Sequence, residues 1–236
     1  MKIGGLQKLT LIDYPGKIAA TVFLFGCNFK CPFCQNPELV DPKRRTVLRN
    51  FGGQSSVNNF FKFLDKRKDF LEGVCITGGE PTIRPDLIDF IKKIKNKGFL
   101  IKLDTNGSNP EILEKLIKEN LLDFIAMDIK SSQNNYSKAA GVKVDLGKIN
   151  KSIDLIKNSN IDYEFRTTVV PGLVGKKDIE EIGKWLKGTK NFALQQFQNK
   201  KVLDKEFEKI QPYSEETLKE FKKMLEKNIK KVELRI

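Results

Sequence analysis

Three cysteines stand close together in the stretch Gly26-Cys27-Asn28-Phe29-Lys30-Cys31-Pro32-Phe33-Cys34, at a CxxxCxxC spacing. Thiolate is the soft ligand that iron–sulfur clusters and zinc prefer, so three on one short loop can converge on one metal centre. Their number carries the chemistry. A cube-shaped [4Fe–4S] cluster held by Cys27, Cys31 and Cys34 keeps one iron without a protein ligand, open to a small molecule. Two other readings use the same residues: a closed four-thiolate zinc site completed by Cys75, and a cluster with a purely structural purpose.

The rest of the composition narrows the classes. The chain of 236 residues has no histidine, which removes His-based zinc catalysis, Ser-His-Asp triads and Cys-His nucleophiles together. The length suits one sizeable domain or a compact α/β barrel. No apolar run approaches the roughly 18 residues of a membrane span. The N-terminus shows no signal-peptide hydrophobic region before Lys8 and Thr10. A cytoplasmic chain is the expectation, its four cysteines ligands or thiols rather than disulfides. The formal net charge is +13, yet the lysines alternate with acids on helix faces, as in 180–184 and 218–223. That pattern reads as a solvated surface rather than a nucleic-acid stripe. Lys43, Arg44, Arg45 and Arg49 form the one dense basic patch, a candidate docking surface.

The elements that must position the cysteines follow a regular alternation. Residues 1–17 lead in and end in the turn Asp13-Tyr14-Pro15-Gly16. Residues 18–25 are a nearly continuous apolar run, expected to be a strand buried on both faces, and the cysteine loop follows it. Further strands are expected at 73–77, 99–103, 122–127, 161–168 and 191–197. Between them Leu87, Phe90, Ile91 and Ile94 repeat at helical spacing, Asn109-Pro110 opens a helix, and Ile149, Ile153 and Ile156 mark another. Ile179, Ile182, Trp185 and Leu186 form the next helix face, and a helix at 214–229 with a short run at 232–236 closes the chain. The Asn- and Ser-rich stretch 131–147 reads as a long loop, exposed near the barrel mouth.

Alternating strands and helices imply parallel strands with right-handed crossovers. The fold expected is α/β, an incomplete TIM-like (β/α)6 barrel in one domain over 1–236. Its parts are an N-terminal lead-in (1–17), a partial barrel core (18–197) and a C-terminal extension (198–236). Its unusual residues cluster at one place. The cysteines, Gly78-Gly79-Glu80-Pro81, Asp104-Thr105-Asn106-Gly107 and Asp128-Ile129-Lys130 each follow a strand directly, where βα loops build barrel active sites. A zinc knuckle gives no reason for that coincidence. Glycines at 78 and 79 let backbone approach a ligand, and Lys130 offers a compact ammonium to a carboxylate. Arg166 faces either a carboxylate in the mouth or a structural ion pair. Cys75, inside Val74-Cys75-Ile76, reads as a small core hydrophobe.

The cysteine motif, with aromatic Phe33 before the last cysteine, resembles the signature of the radical S-adenosylmethionine (SAM) enzymes. Gly78-Gly79-Glu80 resembles their SAM-amino motif. Asp104-Thr105, Asp128-Ile129-Lys130 and 166–171 resemble the glycyl-radical-enzyme activases within that group. The likeness covers essentially the whole chain. Gly4-Gly5-Leu6-Gln7-Lys8 through Gly16-Lys17 and the CNFKCPFCQNPEL run look most like the anaerobic ribonucleoside-triphosphate reductase activating proteins.

The resemblance implies a [4Fe–4S] cluster on Cys27, Cys31 and Cys34, SAM chelated at the open iron, and Lys130 at the SAM. It also implies a monovalent cation held by Asp104, Thr105 and Asp128. It implies one-electron cleavage of SAM, with electrons from a flavodoxin- or ferredoxin-like donor, and hydrogen abstraction from a glycine of a partner glycyl radical enzyme. Gln35 stands where many activases have histidine, and a late SAM-contacting histidine is missing, with Gln196 or Phe197 on that side instead. A radical SAM enzyme for a small molecule or peptide is the first alternative. A non-catalytic metal-binding protein is the second.

Overall fold

In the computed structural model, residues 1–40 and 57–236 are described, so the basic patch at 43–49 lies outside the described residues. One sheet of eight strands organises them, in the spatial order of the sequence. β1 (Ile3–Thr10) pairs antiparallel with β2 (Ala19–Leu24). From β2 onward every pairing is parallel: β3 (Gly73–Gly78), β4 (Leu100–Thr105), β5 (Phe124–Asp128), β6 (Asp162–Val169), β7 (Asn191–Gln196) and β8 (Lys231–Arg235). The partial-barrel class read from the alternation stands. The sheet, however, runs past the expected core at both ends. The lead-in supplies the antiparallel edge β1, and the closing run supplies a seventh parallel strand, β8.

The helices are α1 (Pro37–Val40), α2 (Val57–Asp65), α3 (Leu87–Lys95), α4 (Pro110–Lys118), α5 (Tyr136–Ala140), α6 (Leu146–Lys157), α7 (Lys176–Trp185) and α8 (Glu215–Leu225). Each longer helix presents an apolar stripe to the sheet, as helical periodicity requires. Phe90, Ile91 and Ile94 of α3, Ile149, Ile153 and Ile156 of α6, and Ile179 and Ile182 of α7 are all buried. They meet the outward residues of the strands, among them Val74, Ile76, Leu103, Ile125, Phe165 and Leu194, in one core. Pro110 opens α4 as expected, but the Asn109 side chain does not cap it. Its Nδ2 donates to the Thr82 carbonyl at 2.7 Å, tying the β4 end to the β3 end.

The inner face of the sheet carries charge toward the lumen: Lys102 and Asp104 on β4, Glu164 and Arg166 on β6, Arg235 on β8. They are mutually compensated. Arg235 holds Glu164 with two bonds, Nη1–Oε1 at 3.0 Å and Nη2–Oε2 at 2.7 Å, and Lys102 pairs with Asp104. Buried charges persist when paired in this way. Around them lies a lower cavity of about 620 Å³ at the amino-terminal end of the strands, closed in part by Leu11, Ile12 and Pro15.

The stretch 131–147 is not the exposed loop expected from its composition. Its Ser and Asn residues converge on buried Asp178 of α7. Ser132 Oγ and Asn135 Nδ2 donate to Asp178 Oδ1 at 2.5 and 2.8 Å, and the Gly175 N–H donates to Oδ2 at 2.9 Å. Within it, α5 buries Tyr136, Ala139 and Ala140.

Candidate active site at the carboxyl ends of the strands

The cysteine loop leaves β2 and is clamped from several sides. Phe29 and Phe33 point into the core and anchor it. The Gly26 N–H donates to the Leu39 carbonyl at 2.8 Å, the Lys30 N–H to the Ala140 carbonyl at 2.9 Å, and the Asp204 N–H to the Pro32 carbonyl at 2.9 Å. Gln35 Nε2 donates to the Gln198 carbonyl at 3.2 Å, so the residue in the usual histidine place fastens the loop to the C-terminal segment. That segment therefore leans on the cysteine loop.

Gly78 and Gly79 turn out to be packing glycines. At Gly78 (φ 118°) a Cβ would lie 2.4 Å from Leu24 N, and at Gly79 one would lie 1.9 Å from Gly26 O. Only glycine lets the end of β3 sit against the root of the cysteine loop. Glu80, 1% exposed, is a hub. Its Oε1 accepts from Thr82 N (3.0 Å), Thr82 Oγ1 (2.6 Å) and Thr105 Oγ1 (2.7 Å), and its Oε2 accepts from Asn106 N (2.6 Å). Burial pushes its carboxyl up, against those hydrogen bonds. The Asn106 side chain donates to Asn28 Oδ1 at 3.0 Å, and Asn28 Nδ2 donates to Ser108 Oγ at 2.8 Å, which links the β4 end to the cysteine loop.

Across the lumen runs an alternating chain of charges. Arg166 Nε donates to Asp128 Oδ1 at 2.8 Å and its Nη1 to Asp104 Oδ2 at 3.2 Å. Lys130 Nζ donates to Asp128 Oδ2 at 3.1 Å. Burial favours the neutral carboxyl of Asp128, but Arg166 and Lys130 outweigh it and hold the group well below the usual carboxylate range. Lys130 is shifted up in return: burial opposes its charge, and Asp128 and Cys31 outweigh that. Asp104 and Asp128 are each engaged by two protein cations, and among the described residues no three thiol or carboxylate side chains are placed to hold a single metal ion. Both oxygens of each of these two carboxylates are thus engaged by protein cations.

Cys27, Phe33, Cys31, Cys34, Gly78, Gly79, Glu80, Asp104, Thr105, Asp128, Lys130 and Arg166 all line one cavity of about 240 Å³ at the carboxyl ends of the strands. Cys75 is not part of its lining. It is fully buried on β3, its Sγ 3.8 Å from both Asp104 Oδ1 and Lys102 Nζ, so it does not close a four-thiolate site. Neither Gln196 nor Phe197 reaches the cavity. Phe197 is in the core, and Gln196 donates to the Tyr213 carbonyl at 2.7 Å, while strand alternation turns Gln195 inward. Thr77, Thr168 and Gln195 also line it, and the sequence reading did not single them out. For Thr77, Thr168 and Gln195 the period of two along each strand was the available signal.

The profile of the Radical SAM superfamily matches residues 21–186 of the chain. The chain belongs to that family. It is 38% identical to "Putative glycyl-radical enzyme activating enzyme MJ1227" of Methanocaldococcus jannaschii over 238 residues, 99% of this chain and 95% of that one. It is 27% identical to the pyruvate formate-lyase-activating enzyme of Clostridium pasteurianum over 200 residues, 80% of this chain and 78% of that one. The enzyme is thus of the glycyl-radical enzyme activating type. The fold matches Streptococcus suis SuiB bound to its precursor peptide SuiA with a TM-score of 0.67 at 15% identity, covering 92% of this chain and 48% of that one.

The family's cofactors are a [4Fe–4S] cluster and SAM, and the donor set of this radical SAM enzyme suits a cluster. Burial pushes the Cys27 thiol up to about 12 and the Cys31 thiol up to about 11, and it raises Cys34 as well. Lys130 acts on all three in the opposite direction. Three neutral thiols around one cavity become thiolates once a cationic metal centre supplies the missing charge.

Proposed function

We propose that this enzyme activates a glycyl radical enzyme, the anaerobic ribonucleoside-triphosphate reductase, by generating a radical on one of its glycines. The observation that carries the proposal is the convergence of the three loop thiols with Lys130, Asp128 and Arg166 on one cavity. The whole-length likeness to a glycyl-radical enzyme activating enzyme supports the activity, and the opening and CNFKCPFCQNPEL motifs support the choice of partner. When bound, the cluster and SAM supply one-electron cleavage of SAM and the radical that takes a hydrogen atom from glycine.

Cys27, Cys31 and Cys34 hold the cluster. Lys130, its Nζ held in place by Asp128 Oδ2, binds the SAM carboxylate as a charge-assisted contact. Arg166 keeps Asp128 ionised and fixed. Glu80 is a positioning residue, since its carboxylate is already taken by four donors, and the SAM amino group falls to the backbone of the Gly78-Gly79 turn. An oxygen-sensitive centre with free thiols suits a reducing cytoplasm. Among the described residues, no helix is long and apolar enough to cross a membrane.

The test mixes reduced enzyme, SAM and the candidate reductase without oxygen and records the electron paramagnetic resonance spectrum. A glycyl doublet that disappears when the partner glycine becomes alanine supports the proposal. SAM turnover with no partner radical moves the substrate to a small molecule.

A further inference from the structure

The proposed reaction needs an iron–sulfur centre that gives up its electron readily, and a charged pair behind the cysteine loop bears on that. The segment 198–204 crosses the loop as a strap. Gln35 Nε2 donates to the Gln198 carbonyl at 3.2 Å, the Asp204 N–H donates to the Pro32 carbonyl at 2.9 Å, and Val202 between them is buried. Lys201 has a φ of 55°, a strained conformation for a lysine that the contacts on either side hold in place. Its Nζ donates to Oε1 of Glu38 on α1 at 2.9 Å. Glu38 follows Cys34 by one helical turn of sequence and, unlike Asn36 and Val40, does not line the cavity at the carboxyl ends of the strands.

The two members of this pair are unequal. The Glu38 side chain is 5% exposed and the Lys201 side chain 48%. Water screens the ammonium, while the carboxylate keeps its field in the interior. Among the described residues, Glu38 Oε2 is buried without a hydrogen-bond partner, so no second donor offsets that charge. The pair therefore presents net negative charge to the loop. Burial pushes the Cys34 thiol up, and the Glu38 charge adds to it. On the cavity side the balance differs, because Asp128 has one oxygen on Arg166 and the other on Lys130.

We propose that Glu38, anchored by Lys201, keeps the reduction potential of the iron–sulfur centre low. This rests on the proposed function above and adds a residue to its electron step. Glu38 is a positioning residue, not a ligand: it acts through the Cys34 side of the loop as a fixed negative charge. Such a charge disfavours the electron the centre takes up, so the reduced centre passes it to SAM more readily.

The test is a reductive titration of the anaerobically reconstituted holoenzyme without SAM, with the reduced centre followed by electron paramagnetic resonance. Glu38→Gln keeps the shape and an oxygen for Lys201 but removes the charge. Its midpoint is expected to rise, so that at the wild-type midpoint the ratio of reduced to oxidised centre increases about threefold or more. Lys201→Met leaves the carboxylate without its cation, and its midpoint is expected to fall. Loosening of the strap alone would expose the centre in both variants and move both midpoints the same way. Lys184→Met, which breaks an exposed pair with Glu180 on α7, is the control and is expected to leave the midpoint unchanged. The proposal is overturned if Glu38→Gln leaves the midpoint in place or lowers it, if the two variants shift in the same direction, or if the control shifts equally. If Glu38→Gln assembles no centre, Lys201→Met decides, and a midpoint at or above the wild-type value overturns the proposal. A wild-type enzyme that takes up no iron–sulfur centre overturns the proposed function instead.

Discussion

The Lys30 N–H donates to the Ala140 carbonyl at 2.9 Å, so the middle of the cysteine loop hangs from the end of α5. The other end of α5 holds the end of β5, two residues before Lys130, because Tyr136 Oη donates to the Asp128 carbonyl at 3.3 Å. One short helix therefore spaces the thiol ligands from the ammonium. Gly141→Ala puts a Cβ 2.1 Å from Lys30 O at a positive φ. It is expected to cost about 1–3 kcal/mol and to shift the loop. Thermal unfolding and iron content after reconstitution check this, and wild-type values for both contradict it.

Cluster loading should depend on pH with a definite sign. The Cys27 and Cys31 thiols are raised to about 12 and about 11, so they are protonated at neutral pH without metal. Loading must release their protons, and it becomes more favourable as pH rises through the neutral range. Lys130→Met removes a charge that lowers all three thiols, so loading should then require higher pH. Iron retention measured against a fixed chelator from pH 6 to 9 reads both effects. A flat profile contradicts them.

How much of this was legible in the sequence divides along physical lines. The cysteine spacing, the glycines at 78 and 79, Glu80 and Lys130 were visible because each follows a strand, and parallel topology gathers strand ends in one place. The role of the glycines was not, since close packing on Leu24 and Gly26 is a long-range fact. The charged lumen was not legible, because Lys102 and Glu164 lie among apolar residues in the sequence and their partners Asp104 and Arg235 are assigned only by the fold. The stretch 131–147 looked like a loop because Ser131, Ser132 and Asn135 favour turns. Their acceptor, Asp178, is more than forty residues away.

Asp128 should be a stabilising carboxylate at neutral pH. Asp128→Asn leaves Arg166 and Lys130 without their shared, partly buried partner, a loss of about 1–3 kcal/mol. Because Asp128 is held below its unfolded value, its contribution is present above that value, ~3.9, and fades as pH falls below it. Denaturant unfolding should show a large gap between wild type and variant at pH 7 and a smaller one at pH 3. An equal gap at both contradicts the assignment.

Lys130→Ala should act on SAM affinity. A charge-assisted contact to a carboxylate contributes about 1.5–3 kcal/mol, so SAM binding is expected to weaken by about tenfold to over a hundredfold. Equilibrium binding to the reconstituted enzyme measures it. Unchanged affinity removes Lys130 from the SAM site.

The claim on which the rest depends is that Cys27, Cys31 and Cys34 alone hold the centre that cleaves SAM. Its most direct measurement is 5′-deoxyadenosine formed by the reconstituted, dithionite-reduced enzyme with SAM, compared across four Cys→Ala variants with their iron contents. Product and iron should persist in Cys75→Ala and be lost in each of Cys27→Ala, Cys31→Ala and Cys34→Ala. Loss of iron in Cys75→Ala, or no product from the wild-type enzyme, contradicts the account.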